Sequence, residues 1–253
     1  MLPRDRLHVD GAFLFRWRSF LPIVAVPVAL LAMTQSADLE ARFGESAEQI
    51  WTIGCLAVSF LGLAVRVLTV GFVPGRTSGR NTREQRADRL NTTGLYSVVR
   101  NPLYVGNFLM FMGYMLATKV WWLVLLAAIV YWLYYRCIIA TEEAFLRRQF
   151  GAEFESWAQH TPAIVPNPTR WRGPDLPFSW RTVLRREYVT AYSIVAIMTG
   201  IALADELISE RGSLSVWVDE ESFWLWFFAI GTALFLVLRA VKKRTDWLSV
   251  AGR

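Results

Sequence analysis

Cysteine and histidine are scarce in this chain, which holds two of each among its 253 residues. Cys55 and Cys137 both lie inside long apolar stretches, so a disulfide framework is not expected and both are interpreted as small core residues. No metal site is predicted. Internal repeats and low-complexity tracts are also missing. We expect no cleavable signal peptide, because the first apolar stretch lacks a clear small-residue cleavage site.

Apolar residues make up 54% of the chain and occur in long blocks rather than in stripes. A block of about 20 apolar residues crosses the hydrocarbon layer as a helix. Barrel strands would alternate apolar and polar residues, and these blocks do not. The pattern predicts an all-α, polytopic integral membrane protein with about six transmembrane helices. The predicted spans are residues 18–36, 50–73, 102–118, 120–140, 188–205 and 222–241.

These spans divide the chain into residues 1–73, a core of residues 74–187 and residues 188–253. The core holds a polar loop, a helical hairpin and a segment rich in proline and tryptophan. Arginine and lysine crowd the termini and both long loops of the core, whereas acidic residues dominate the alternate loops. The positive-inside rule therefore predicts that the termini and the long loops are cytoplasmic, and a bacterial inner or plasma membrane is expected.

The formal net charge of +6 could indicate nucleic acid as a partner. The positive residues flank apolar blocks, however, so anionic lipid headgroups are the expected partner and nucleic acid is not. The 12 tryptophans agree with a membrane, because many stand at block ends, where their rings suit the headgroup level. These features leave the oligomeric state open.

A compact motif stands at the start of the third predicted span. It comprises Gly94, Tyr96, Arg100, Asn101, Pro102, Tyr104 and Gly106, and Asn107 follows it. One interpretation is purely structural. Asn101 is a good helix N-cap, Pro102 suits the first helical position, and Gly106 permits close packing of helices.

A second motif follows the fourth predicted span. Its members are Glu142, Glu143, Leu146, Phe150, Gly151, Phe154 and Trp157. The structural interpretation is an amphipathic helix at the membrane surface, with the apolar residues on one side. That interpretation fits the spacing but does not explain a pair of glutamates at the point where a spanning helix leaves the membrane.

Together the two motifs resemble the isoprenylcysteine carboxyl methyltransferase superfamily, whose relatives include phospholipid and bacterial lipid-phosphate methyltransferases. The resemblance covers roughly residues 74–168. It implies that S-adenosyl-L-methionine is the cofactor and that it binds between the cytoplasmic helix ends and the preceding loop. Carried over by motif, the cofactor-binding positions are Asp88, Arg89, Leu90, Asn91, Tyr96, Asn101, Pro102, Leu103, Tyr104 and Glu142, with Asn81 as a further candidate.

The chemistry of the cofactor suits several of these positions. A carboxylate such as Glu142 can bind the α-amino group or the sulfonium, and an aromatic wall such as Tyr96 or Tyr104 can hold the adenine. Many superfamily members have histidine at the position of Asn101. Asparagine cannot titrate, so we expect no general base there.

Three arginines are candidates for holding the methyl acceptor. We hypothesise that Arg136, Arg100 and Glu143 form the catalytic centre and that Arg136 and Arg66 bind the substrate. Arg66 lies inside the second span, where a charge is costly and often functional, although its long stem could instead lift the guanidinium to the interface. Members specific for prenylcysteine resemble one another in an arginine at the position of Ile138, and its absence argues against that acceptor.

The expected function is methyl transfer from S-adenosylmethionine to a lipid that enters from the bilayer. The matched core contains neither of the two histidines, and an acceptor that is already an anion needs no general base. An oxyanion acceptor is therefore favoured. Residues 77–82 and 90–94 resemble bacterial members that act on lipid A-type phosphates, and this resemblance implies O-methylation of such a phosphate. Carboxyl methylation of an isoprenylcysteine-like acceptor and N-methylation of a phospholipid amine are alternatives. A membrane transporter or scaffold without enzymatic activity is an alternative from another class.

Overall fold

The structure is a computed structural model, and it describes residues 26–36, 39–75, 77, 87–208, 214, 217–218 and 222–253. Its helices are α1 (Val26–Met33), α2 (Leu39–Phe43), α3 (Glu45–Phe72), α4 (Leu95–Val98), α5 (Pro102–Ala117), α6 (Trp121–Phe150), α7 (Ala152–His160), α8 (Trp180–Ile208) and α9 (Ser222–Arg244). The described residues contain no β-strand, and one isolated antiparallel bridge joins Gly94 to Arg172. The predicted all-α class is confirmed.

Four of the described helices, α3, α6, α8 and α9, are long and apolar enough to cross a membrane. The described residues therefore contain about four spans rather than the six predicted for the whole chain. The predicted span 102–118 forms the 16-residue helix α5, which is about 24 Å long and shorter than the hydrocarbon layer of about 30 Å. Residues 18–25 of the predicted span 18–36 lie outside the described residues, and residues 26–36 contain the helix α1.

The long helices run between two ends of opposite charge. We name the end where α3 stops and α5 begins the basic end, because it carries Arg100, Arg147 and Arg181. The opposite end, with Glu48 and Asp205, is the acidic end. As the sequence predicted, α6 continues past its apolar part, and at the basic end it runs to Phe150, where Gly151 with φ 51° breaks it from α7.

Glycines bring α3 and α5 into close contact. A Cβ atom on Gly62 would lie 2.5 Å from the carbonyl oxygen of Gly106, and one on Gly106 would lie 2.6 Å from Cγ of Arg66. Gly113, two turns further along α5, faces Ser59 and the carbonyl oxygen of Cys55 in the same way. Small residues allow helix backbones to approach in a membrane, where no hydrophobic effect drives association. The predicted packing role of Gly106 is confirmed.

We predict that Gly62→Val separates α3 from α5, because the new methyl groups would meet the backbone of α5. Overpacking of this kind costs about 1–3 kcal/mol, so the unfolding temperature of the detergent-solubilised protein should fall. Gly54→Ala on the same helix is the matched control, since a Cβ there meets nothing within 4 Å. If the Gly62→Val and Gly54→Ala proteins unfold at the same temperature, this contact does not hold the helices together.

Lys119 connects three helices at the acidic end. It has a φ of 57°, turns the chain between α5 and α6, and donates hydrogen bonds to Glu48 and to Asp205, the latter at 2.8 Å. Burial alone would lower the pKa of Lys119, but hydrogen bonds to Asp205 and Glu48 outweigh it and raise the pKa above its usual value. The turn is thereby tied to the first turn of α3 and the last turns of α8.

A raised pKa makes the contribution of Lys119 to stability depend on pH. It is fully present below the unfolded pKa of about 10.4 and is lost as pH rises through the folded pKa. We therefore expect Lys119→Met to lower the unfolding temperature at pH 8 and to have a smaller effect at pH 11.5. An equal difference at both pH values would contradict this assignment.

Candidate functional site at the basic end

The segment before α5 lies against the segment that follows α7. Backbone hydrogen bonds join Arg100 to the carbonyl of Pro162 at 2.8 Å and Asn167 to that of Val98 at 2.8 Å. The indole of Trp157 donates to the carbonyl oxygen of Tyr96 at 3.1 Å. The two sequence motifs and the proline- and tryptophan-rich segment thus form one platform at the basic end.

Tyr104 and Glu142 join the first turn of α5 to α6. The hydroxyl of Tyr104 donates to Oε1 of Glu142 at 2.7 Å, and its ring lies 4.8 Å from that of Tyr135. Tyr131 stacks on Tyr135 and donates to the carbonyl oxygen of Tyr104 at 3.0 Å. A half-buried carboxylate therefore stands beside an aromatic wall, and its binding of the cofactor stays a prediction.

Arg100 and Glu143 make a second connection between the same elements. Nε and Nη2 of Arg100 donate to the carboxylate of Glu143 at 2.8 and 3.3 Å. Nη1 donates to the carbonyl oxygens of Ala158 and Thr161 at 2.9 and 2.6 Å. The pair thus connects the segment before α5 with α6 and with the end of α7. Their action on the methyl acceptor stays a prediction.

A cleft opens beside this platform, between the last turns of α3 and residues 89–96. It encloses about 410 Å³, its open mouth included. Its apolar and aromatic wall is formed by Leu68, Phe72, Leu90 and Tyr96. Its polar lining includes Asn91 and Asp175. Arg89 pairs with Asp175 at 2.7 Å at the exposed rim.

The predicted cofactor residues fall into two groups. Arg89, Leu90, Asn91 and Tyr96 line the cleft, whereas Tyr104 and Glu142 lie at the junction of α5 and α6. Asp88 is exposed and adjoins the cleft-lining residues in the sequence. Asn101 is the N-cap of α5, Pro102 is its first residue, and Leu103 follows and is half-buried. Asn81 lies outside the described residues.

Asn101 occupies the N-cap position of α5 and Pro102 the first helical position, as predicted. The amide of Asn101 does not cap the helix, however. It donates instead to the carbonyl oxygen of Ala163 at 3.0 Å. Asn101 thus ties the start of α5 to the platform.

Arg66 is held inside the helical bundle rather than at its surface. Its guanidinium makes a bidentate pair with Glu187 of α8, with both distances 2.8 Å, and donates to Oδ1 of Asn107 at 2.6 Å. Arg66 is 8% exposed and Glu187 4%. Sequence reasoning missed Glu187. The available signal was an arginine within one predicted span and a glutamate at the edge of another.

Arg136 occupies a different setting. It is exposed on α6 and continues the outward stripe of Ile129, Trp132 and Leu133, of which the last two are 49% and 55% exposed. No side chain in the described part of the chain pairs with its guanidinium. By helical rise it lies about 9 Å below the level of Glu142. Ile138, two residues further on, is fully buried.

These features define a helical membrane protein with a cleft at its basic end and an exposed arginine on α6. The profile of the phospholipid methyltransferase family matches residues 53–153. The chain belongs to the isoprenylcysteine carboxyl methyltransferase and phospholipid methyltransferase superfamily of membrane methyltransferases, which confirms the resemblance carried by the two motifs.

Individual relatives differ in what their names describe. A nickel-cobalt-cadmium resistance protein of Alcaligenes xylosoxydans xylosoxydans is 32% identical over 162 residues, which cover 64% of this chain and 70% of the relative. A cobalt-zinc-cadmium resistance protein of Cupriavidus metallidurans is 35% identical over 48% of this chain and 51% of its own. A protein-S-isoprenylcysteine O-methyltransferase of Schizosaccharomyces pombe is 35% identical over 30% of this chain and 33% of its own. No solved structure matches the chain.

Proposed function

We propose that the protein transfers a methyl group from S-adenosylmethionine to an anionic oxygen of a membrane lipid, and that the acceptor is a lipid phosphate of the lipid A type. The observation that carries the acceptor assignment is Arg136, exposed on the lipid-facing stripe of α6 near the basic end. The cleft and the carboxylate of Glu142 support the cofactor assignment. In this proposal the basic end is cytoplasmic, because that is where S-adenosylmethionine is available.

The residues at the basic end fit this cofactor. Leu90, Phe72 and Tyr96 offer apolar and aromatic walls for adenine, and Asn91 offers hydrogen bonds to polar atoms of a ribose. Glu142 offers a negative charge to the α-amino group or the sulfonium. When bound, S-adenosylmethionine supplies a methyl group already activated on sulfur. The protein then has to hold donor and acceptor in line and exclude water.

Among the three candidate arginines, Arg136 suits a lipid anion best. The guanidiniums of Arg66 and Arg100 already face the carboxylates of Glu187 and Glu143. Arg136 presents its planar fork of donors to the bilayer, and such a fork binds phosphate in a bidentate manner. A lipid can approach with its acyl chains along the apolar stripe below.

Other acceptors find less support at this site. The position at which prenylcysteine-specific members carry arginine is Ile138, and its side chain is fully buried here. An amine acceptor needs a base to remove a proton. Arg136 would repel a protonated amine, whereas it attracts a phosphate. A phosphate acceptor is also already ionised.

Two relatives bear names of metal resistance, and the proposed reaction offers a physical link to that role. A phosphate monoester carries a charge of about −1.5 to −2 at pH 7, and methylation removes its second ionisation. Fewer negative charges on the membrane surface attract fewer divalent cations. We propose that lipid methylation contributes to metal tolerance in this way.

Cells that express the wild-type chain should then tolerate nickel or cadmium better than cells that express Glu142→Ala. Equal tolerance would show that resistance does not depend on methyl transfer.

The decisive test offers three acceptors to protein in lipid nanodiscs with S-adenosylmethionine labelled in its methyl group. They are a lipid phosphate monoester, phosphatidylethanolamine and farnesylcysteine. Label should enter the phosphate lipid, and mass spectrometry should find one added methyl group on phosphate. Label in the amine or the carboxylate would establish one of the alternative acceptors. Protein that neither binds the cofactor nor transfers label would favour a transporter or scaffold.

A further inference from the structure

A buried network of one arginine, one glutamate and one asparagine connects three helices beside the site. Arg66 belongs to α3, Glu187 to α8 and Asn107 to α5. The family profile ends at residue 153, so Glu187 lies outside the segment it matches. Here a charged group of α8 reaches Arg66 of α3, and Arg66 in turn contacts α5, which carries the first sequence motif.

Stability alone is a poor reason for such a network. Removing two charges from water is costly, and well-packed apolar residues often stabilise a protein as well as a buried ion pair does. In a membrane, buried ionisable groups are rare and mark functional regions by default. Arg66 and Glu187 therefore call for a role beyond joining α3 to α8.

The geometry of Arg66 points to its effect on α5. Its stem crosses Gly106, where a side chain would collide with Cγ of Arg66. Its Nη1 donates to Asn107, while Nε and Nη2 are fixed by Glu187. Glu187 thus orients the guanidinium plane, and the guanidinium in turn fixes the rotation of α5 at residues 106 and 107.

Tyr104 stands one helical turn before Asn107 and contacts Glu142. A rotation of α5 would move this contact and the platform with it. We infer that Glu187 is a positioning residue for methyl transfer: through Arg66 and Asn107 it sets the orientation of α5 and hence the alignment of donor and acceptor. This inference rests on the proposed function.

The test compares folded variants in nanodiscs and normalises activity by the number of cofactor-binding sites. Asn107→Ala keeps the ion pair but removes its contact with α5, and Glu187→Gln releases the guanidinium. A displacement of about 1 Å can cost about 100-fold in rate. Each variant should therefore lower kcat about 10- to 100-fold, while the Kd for S-adenosylmethionine changes less than about threefold.

A rescue variant separates positioning from mere attachment of α8. Asn107→Asp combined with Glu187→Gln moves the carboxylate from α8 to α5, beside the same guanidinium. The kcat of the double variant should be at least tenfold higher than that of Glu187→Gln, although α8 no longer supplies the carboxylate that pairs with Arg66. Thr199→Val on α8 is the matched control, because Thr199 is buried and its hydroxyl has no hydrogen-bond partner in the described residues.

Two outcomes would overturn the inference. One is a wild-type kcat per binding site in both Asn107→Ala and Glu187→Gln. The other is a double variant no more active than Glu187→Gln. A wild-type protein without methyl transfer would instead refute the proposed function, so the two failures are distinguishable.

Discussion

Replacing Glu142 by alanine should weaken the binding of S-adenosylmethionine about 100-fold. The carboxylate stands at the basic end beside Tyr104 and the aromatic wall of Tyr135, and in the proposed function it binds a positive charge of the cofactor. Loss of one partner from a hydrogen-bonded charge pair at a binding site costs about 2–5 kcal/mol, and 100-fold corresponds to about 2.7 kcal/mol. Titration calorimetry on purified protein measures this change directly.

The neighbouring glutamate provides a matched comparison. Glu143→Gln removes the same charge one residue away, but that carboxylate faces Arg100. We expect this variant to melt at a lower temperature, because Arg100 loses its ionic partner, and to keep a Kd for the cofactor within about threefold of wild type. Glu142→Gln separates charge from shape, since its amide oxygen can still accept from Tyr104. Equal affinities of wild type and Glu142→Ala would refute the cofactor site.

Local signals predicted the start of the hairpin and the chemistry of its motifs. Asn101 and Pro102 marked the beginning of α5, Gly106 marked a close helix contact, and Glu142 marked a carboxylate near the membrane surface. Each of these expectations depends on neighbours within a turn or two, where sequence spacing determines which side chains share a face. The structure places all of these residues at the basic end or against α3.

Contacts between distant segments could not be predicted in the same way. Glu187 reaches Arg66 across 121 positions of the sequence, and Asp175 meets Arg89 across 86. Nothing in the local pattern of either residue specifies its partner. The span count differs for another reason: the predicted span 102–118 has nearly the bounds of α5, but its 16 residues are shorter than the hydrocarbon layer.

Replacing Arg136 by leucine should abolish most recognition of the acceptor while leaving the fold intact. Leucine suits a lipid-facing stripe that already contains Ile129 and Leu133, so the unfolding temperature should be unchanged or higher. The phosphate would lose a bidentate, charge-assisted partner, which is worth about 1.5–3 kcal/mol in hydrogen bonding alone. We therefore expect kcat/KM for the lipid phosphate to fall about 100-fold, with the Kd for S-adenosylmethionine unchanged.

Two further variants decide whether the guanidinium binds the acceptor or only reaches toward the headgroups. Arg136→Lys keeps the charge but loses the planar fork, so it should retain about a tenth of wild-type kcat/KM if bidentate contact with phosphate matters. Arg148→Gln removes an exposed arginine from the same helix beyond its apolar part and should leave kcat/KM unchanged. If Arg136→Leu methylates the lipid phosphate as fast as wild type, Arg136 interacts only with bulk headgroups and the acceptor must enter elsewhere. A loss confined to Arg136 would place the entrance for the lipid on the outer face of α6, one to two turns from Glu142.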